Sequence, residues 1–261
     1  MKKVFCRLVT KKSTMKIFEA NIHDVSIIQF TTTVLALGSL FWYLPNQEHI
    51  IIMIVGYFLY SCIGITIFYH RYWSHKSFKT WPFIEYLGTI FGALAGRGSA
   101  LSWVTVHRLH HKHTDSELDP HWSNRDGWKI FFPFLLTYNS QKLSSFMIKD
   151  LLASKLNMFI HKNYRLIIVI YLCILGLIGI DILFYFWIFP AALTAWSLNL
   201  FVYFSHRNNK PVNNWLVSFL LWGEGWHVLH HDRPGNYDLQ DKWYRIDIAG
   251  QVINVIRNKN V

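Results

Sequence analysis

The chain has 261 residues, of which 52% are hydrophobic and 17% aromatic, and its formal net charge is +11. So apolar a composition is wrong for a soluble domain of this length and points to an integral membrane protein built as one domain, residues 1–261. The Lys and Arg residues flank apolar runs instead of gathering on one compact element, which argues for a membrane surface and against nucleic acid as the partner.

Six of the basic residues (Lys2, Lys3, Arg7, Lys11, Lys12 and Lys16) lie in the first 24 positions. No short apolar stretch with a small-residue cleavage site follows, so no cleavable signal peptide is expected. Runs of about 20 apolar residues, the length that crosses ~30 Å of hydrocarbon, occur at 25–44 and 50–69, and the loop Pro45–His49 between them has no Lys or Arg. Residues 83–101 are also apolar but contain Glu85, Arg97 and four glycines. They read as a helix at the interface or buried under the catalytic part, not as a crossing. Residues 138–164 are polar and basic with scattered Leu, Met and Phe, which fits either an amphipathic surface helix or a connector. The apolar block from Leu166 to Phe204 is interrupted at Gly179-Ile180-Asp181 and divides into spans at 165–180 and 183–204.

The expected fold is therefore all-α, with four transmembrane helices and a cytosolic helical cap made of residues 1–24, 70–164 and 205–261. With four crossings, residues 1–24, 70–165 and 205–261 share one side, and they hold 6, 13 and 7 of the 26 Lys and Arg residues. The positive-inside rule makes that side the cytoplasm, at a bacterial inner membrane or the endoplasmic reticulum. Cys6, Cys62 and Cys173 form no CxxC pair and support neither a disulfide framework nor a thiolate zinc site.

Nine of the fourteen histidines are candidate metal ligands: His70 and His75 in HRYWSH, His107, His110 and His111 in HRLHH, His227, His230 and His231 in HVLHH, and His206 alone. In a helix, an H-x-x-H-H pattern puts residues i, i+3 and i+4 on one face, so each of the two such boxes is expected to present three imidazoles to one point. The spacing of five between His70 and His75 falls roughly 140° off a common face at ~100° per residue, which suits a helix end. Nine nitrogen donors exceed the about four that one zinc ion uses, so two metals are implied; imidazole suits Zn, Cu, Fe and Ni alike. All nine lie on the one face that the four-span parity creates.

The runs HRYWSHKSF, HRLHHKHTDSELDPH and GEGWHVLHH, together with the later WYRID stretch (Trp243–Asp247), resemble the membrane-bound fatty acyl desaturases of the delta-9 class in order and spacing over about residues 50–250. The resemblance implies a non-haem di-iron centre held by the nine histidines. It also implies a tunnel for a fatty acyl group carried on coenzyme A, lipid or carrier protein, and O2-dependent removal of two hydrogens from a methylene pair. Two electrons must come from a separate donor, cytochrome b5 or ferredoxin, since the chain has no HPGG haem-binding segment and no cysteine set for an iron–sulfur cluster. A carboxylate di-iron bundle uses four Glu and two ExxH motifs, whereas this chain has a single ExxH, Glu224–His227. Asp119 and Glu224, with Asp115 and Asp232 behind them, are either acceptors for the free N–H of ligating imidazoles or ordinary exposed charges. His113 and His121 read as neighbours of the site, and His23, His49 and His161 as unrelated to it. Trp103 either lines the substrate mouth or packs.

Three positions depart from the family pattern. Val202 stands where relatives carry Asn, four residues before the lone histidine; Val228 and Leu229 follow His227, where Asn is common; and Thr105 and Val106 replace the charged pair that serves coenzyme A recognition in animal enzymes. The last departure favours an acyl group on lipid or carrier protein. The same ligands would also serve a membrane di-iron hydroxylase. A non-enzymatic metal or haem carrier would instead spread histidines along a crossing path.

Overall fold

A computed structural model describes residues 11–136 and 145–259. The expectations for residues 1–10, Cys6 among them, and for the 138–144 part of the basic connector lie outside the described residues. Within these bounds the chain is helical, and the only β pairing is the isolated bridges Thr80–Arg257 and His206–Pro211.

Helix α1 spans Lys11–Ser39. It is long enough to cross a bilayer but too polar to qualify by composition, since Asp24, Ser26, Gln29 and Thr31–Thr33 interrupt its apolar run. Its apolar residues do form an exposed set, with Ile27, Phe30, Val34 and Leu37 each more than half exposed. The helix stops at Ser39, so the expected 25–44 run ends in a turn and an extended segment instead of five further helical residues.

After Pro45, Asn46 caps α2 (Gln47–Ser74). Its side chain accepts from the His49 N–H at 2.9 Å while His49 Nδ1 accepts from the Asn46 N–H at 3.2 Å, a reciprocal capping box. At 28 residues α2 is apolar enough to span. With 28 residues it is longer than the about 20 that cross a ~30 Å hydrocarbon core, and it carries His70 in its final turns. Helix α3 (Pro82–Leu94) starts with proline at its first position, where the missing N–H costs nothing. It runs back antiparallel to α2: Trp73 Nε1 donates to Thr89 Oγ1 at 2.9 Å, Gly88 faces the Phe68 ring, and Gly64 faces the backbone of Gly92. A Cβ on Gly64 would stand 2.6 Å from Gly92 N, so this close approach needs glycine. At 13 residues, α3 is too short to cross, as its charges and glycines suggest.

Helix α4 (Ala100–His113) carries the second histidine box. Beyond it, Gly127–Phe131 and Pro133–Leu135 form short 3-10 turns. Helices α5 (Lys155–Lys162) and α6 (Tyr164–Ile178) are bent by 76° and form at most one broken span. Extended backbone at Gly179 (φ 170°, ψ 144°) separates α6 from α7 (Ile180–Phe204), the second helix long and apolar enough to span. By length and composition, then, two helices qualify outright, and the bent pair brings the number to three where four unbroken spans were expected. The shortfall has two causes: polar residues in α1, and a 15-residue α6 of about 22 Å.

Three short helices follow: α8 (Trp215–Leu220), α9 (His227–Asp232) and α10 (Ile248–Ile256). Tyr57 Oη donates to the Leu220 carbonyl at 2.6 Å, and Ala249 and Ile253 of α10 pack with Ile67 and Phe68. The C-terminal segment thus lies along α2. The main core joins Tyr60, Ile65 and Tyr69 of α2 to Leu94, Leu101, Val104, Ile160 and Trp187.

Candidate metal centre

The nine predicted histidines gather into two groups. His70, His75, His107, His111 and His230 form one, and His110, His206, His227 and His231 the other, with the ligand nitrogens of each group within 4.8 Å of one another. Neither H-x-x-H-H box keeps its three rings together, contrary to expectation. In both, the i and i+4 rings stay paired (His107 with His111, His227 with His231) while the i+3 ring (His110, His230) joins the other group. Helical geometry explains the split: i and i+4 lie about 40° apart, whereas i+3 lies about 100° from i+4. The His70–His75 spacing is solved by winding. From Phe58 to Ser74 the helix widens to π type, and the His75 N–H bonds back to the His70 carbonyl at 3.3 Å. An i→i+5 ladder puts residues five apart on nearly one face, and the two ring centroids stand 4.9 Å apart.

Within the groups the Nε2 atoms approach closely. His75–His107 is 2.7 Å, His111–His230 2.9 Å and His70–His230 3.1 Å; in the second group, His227–His231 is 2.9 Å and His206–His227 3.0 Å. Two nitrogens each ~2.1 Å from one ion and at right angles to each other stand about 3 Å apart, so these spacings fit a bound cation. The rings of His111 and His231 stack at 4.5 Å, joining the two groups side by side.

Three carboxylates face the Nδ1 atoms of rings in the two groups. Asp119 receives His110 Nδ1 at 2.8 and 3.0 Å, Asp115 lies 2.8 Å from His206 Nδ1, and Glu224 Oε2 lies 2.8 Å from His70 Nδ1. A ring that donates from Nδ1 leaves the Nε2 lone pair bare for a metal. Asp119 also accepts the backbone N–H groups of Asp115 and His121, each at 2.8 Å, which fixes its orientation. Burial is the largest single influence and raises its pKa, but the His110 hydrogen bond and charge, with the His121 N–H and ring, together outweigh it and hold the carboxyl below its ordinary value. Glu224 is likewise raised by burial and drawn down further by the His70 ring and Arg71. Asp232 is exposed beside Arg233 and takes no part.

Burial first, and neighbouring imidazoles second, push His107, His227 and His230 well below the usual histidine range and His111 to about 3. The rings are thus neutral, as ligands must be. His121 is pushed to about 3 by burial and His110, and sits beside His110 without joining either group. Of the residues without a cluster, His49 caps α2 and His161 Nδ1 bonds Ser99 at 2.6 Å.

Sequence reasoning passed over Arg71 and gave Asp247 no role. Arg71 is 1% exposed, and its Nε donates to Glu224 at 3.0 Å while its Nη atoms donate to Asp247 at 2.7 and 3.1 Å. The C-terminal segment is thereby tied through Glu224 to His70. Asp247 sits against Gly223 (φ +118°), where a Cβ would stand 2.2 Å from its Oδ1, which explains the glycine that opens GEGWH. The available signal was a lone arginine inside an otherwise apolar helix.

A cavity of about 150 Å3 adjoins both groups. It is lined by His107 and His110, by His206 and His227, and on its apolar side by Trp103, Val106, Leu198, Phe201 and Val202 among others. Trp103 stacks on His107 at 5.1 Å and 18°. Nine imidazole nitrogens converging on two points, with few carboxylates, suit transition metals over Ca2+ or Mg2+, and an apolar cavity beside them suits a hydrocarbon.

Comparison with known proteins agrees with this chemistry. The fatty acid desaturase family profile matches residues 48–252. An sn-1 stearoyl-lipid 9-desaturase of Synechocystis sp. is 30% identical over 261 residues, covering 95% of this chain and 78% of that protein. An sn-1 stearoyl-lipid 9-desaturase of Anabaena variabilis is 28% identical over 85% of this chain and 87% of its own length, and acyl-CoA desaturase 1 of Saccharomyces cerevisiae is 28% identical over 80% and 44%. The chain belongs to the fatty acid desaturase family.

Proposed function

We propose that this oxidoreductase introduces a double bond, of the delta-9 class, into a long-chain fatty acyl group, with O2 as co-substrate and two iron ions held by the nine histidines. The carrying observation is the convergence of nine buried or half-buried imidazoles on two points beside an apolar cavity. His70, His75, His107, His111 and His230 would hold one ion, and His110, His206, His227 and His231 the other. The ions would supply the redox chemistry needed to activate O2 against an unreactive C–H bond. Asp119 and Asp115 orient His110 and His206 by accepting from their Nδ1 atoms, and Glu224, 2.8 Å from His70 Nδ1, faces that ring with its charge. Trp103, stacked on His107, is read as the residue that seats the acyl chain against the first group. The apolar residues of the cavity keep bulk water from the reacting carbons.

The reading has four crossings of a single domain at 25–44 in α1, 50–69 in α2, 165–180 in α6 and 183–204 in α7, with residues 1–24, 70–164 and 205–261 on the cytoplasmic face of the bacterial inner membrane or endoplasmic reticulum. The lipid-compatible exposed stripe of α1 and the exposed Leu166, Leu177 and Ile178 of α6 support it. Electrons would come from a separate acidic donor, cytochrome b5 or ferredoxin, drawn to a basic face. The names of the stearoyl-lipid relatives favour a lipid-linked acyl group. Expression in a host lacking its own desaturase, with new double bonds located by mass spectrometry, tests the proposal. His107→Ala and His230→Ala are each expected to abolish the product while leaving membrane insertion intact; full product from either would count against its ligand role.

A further inference from the structure

The cavity beside the histidines has one thin wall. Residues 127–136 pass across it as the two short 3-10 turns, with Ile130, Pro133 and Leu136 lining the cavity. Trp128, Phe132 and Phe134 of the same strap face outward and are 61%, 40% and 59% exposed. Among the described residues, a single thickness of polypeptide therefore separates the cavity from the surroundings.

This strap hangs on a spanning helix and on α1. The Phe131 carbonyl accepts from Gln29 Nε2 of α1 at 3.0 Å and from Asn199 Nδ2 of α7 at 3.5 Å, and the Phe131 ring stacks on Trp196 of α7 at 5.9 Å. Trp196 and Asn199 lie eight and five residues before the end of α7 at Phe204, about 12 and 8 Å inside its last turn. The strap thus sits at the depth where a spanning helix leaves the bilayer, the level at which exposed aromatic rings belong. Gln29 also accepts from Arg97 Nη1 at 3.0 Å, and Arg97 is the only Lys or Arg among the lining residues. One buried amide therefore links the strap to a cation that lines the cavity.

We propose that the strap is a lateral gate, through which the acyl chain of a membrane glycerolipid passes sideways from the bilayer into the cavity. This rests on the desaturase reading and names the form in which that site takes its substrate, a lipid ester drawn from the membrane. Every methylene carried through water to the same cavity would bear its own hydrophobic penalty, and a side passage avoids it. Short 3-10 turns have poorer hydrogen bonding than α-helix, and this strap is latched to its neighbours by two side-chain amides on one carbonyl. It is the part of the wall built to open.

The test uses the full chain in phosphatidylcholine nanodiscs. One sample contains a phosphatidylcholine whose sn-1 stearoyl chain carries a mid-chain diazirine, and a parallel sample receives stearoyl-CoA with the same diazirine. On irradiation the lipid probe is expected to label Phe132 and Phe134 outside and also Trp103 and Val106 inside. Gln29→Ala is expected to raise interior labelling by the lipid probe roughly fivefold, the population shift that one lost hydrogen bond carries. Lipid labelling confined to the outer residues, or interior labelling by the thioester probe alone, overturns the gate. Double-bond formation in cells tests the desaturase reading separately: product without interior lipid labelling rejects only the gate, and absence of product rejects the reading beneath it.

Discussion

Arg71→Met removes a charge from the middle of the molecule while leaving most of its volume filled. Arg71 holds Glu224 at 3.0 Å, Asp247 at 2.7 and 3.1 Å, and the Tyr237 carbonyl at 2.7 Å, all from a side chain 1% exposed. Breaking a buried ion pair by deleting one partner costs about 3–5 kcal/mol, because the survivor stays buried and uncompensated. Here two carboxylates survive, Glu224 at 4% exposure and Asp247 at 0%, so the cost should reach at least that range. Against a typical net stability of about 5–15 kcal/mol this is a large loss. Adding Asp247→Asn removes one stranded charge, and the pair is expected to couple favourably by about 1–3 kcal/mol. Unfolding of the purified chain in detergent, followed by circular dichroism for wild type, both single variants and the double, measures each quantity. A single Arg71→Met variant within about 0.5 kcal/mol of wild type, the usual range of a surface substitution, would refute the reasoning.

Replacing Asp119 or Asp115 by Asn, or Glu224 by Gln, is expected to weaken iron binding by about 10–100-fold, while Asp232→Asn leaves it unchanged; metal titration of the purified variants checks this. The split of the histidine boxes places sequence neighbours in different groups, so on the proposed reading they would hold different ions. His231→Ala and His230→Ala, adjacent in sequence, should each lower bound iron from two towards one per chain but yield different residual Mössbauer spectra; identical spectra would place both rings on one ion. Gly223→Ala forces a Cβ against Asp247 at a φ of +118°, and is expected to destabilise the chain by about 1–3 kcal/mol, read as a lowered unfolding midpoint.

Much of the site was legible because its chemistry is carried by residue type and local spacing. The nine histidines announce themselves, the two H-x-x-H-H boxes do fall on helices α4 and α9, and Asp119 and Glu224 lie where carboxylates were sought. What local spacing does not carry is where a helix points. The division of each box between two groups depends on how α4 and α9 face each other, and the pairing of His70 with His75 depends on π winding that α-helical arithmetic misses. Arg71 and Asp247 are 176 positions apart, so nothing short of the fold joins them. The spans were less faithful. Polar residues in α1, and the 76° bend that leaves α6 only 15 residues long, turn two expected crossings into elements that length and composition do not identify as spans by themselves.

Each histidine group borrows a single ring across the molecule. Four rings of the first come from residues 70–111 and only His230 from the last part of the chain; three rings of the second come from residues 206–231 and only His110 from the earlier part. During synthesis the last ring of the first four-ring set, His111, is made nearly a hundred residues before His206. An ion captured there early would wait for His230 to close its shell, while the second position gains three of its rings only as the final stretch of chain folds back. The exchange of one imidazole each way makes the two halves mutual guarantors, so neither position can be completed until both halves have been delivered to the membrane.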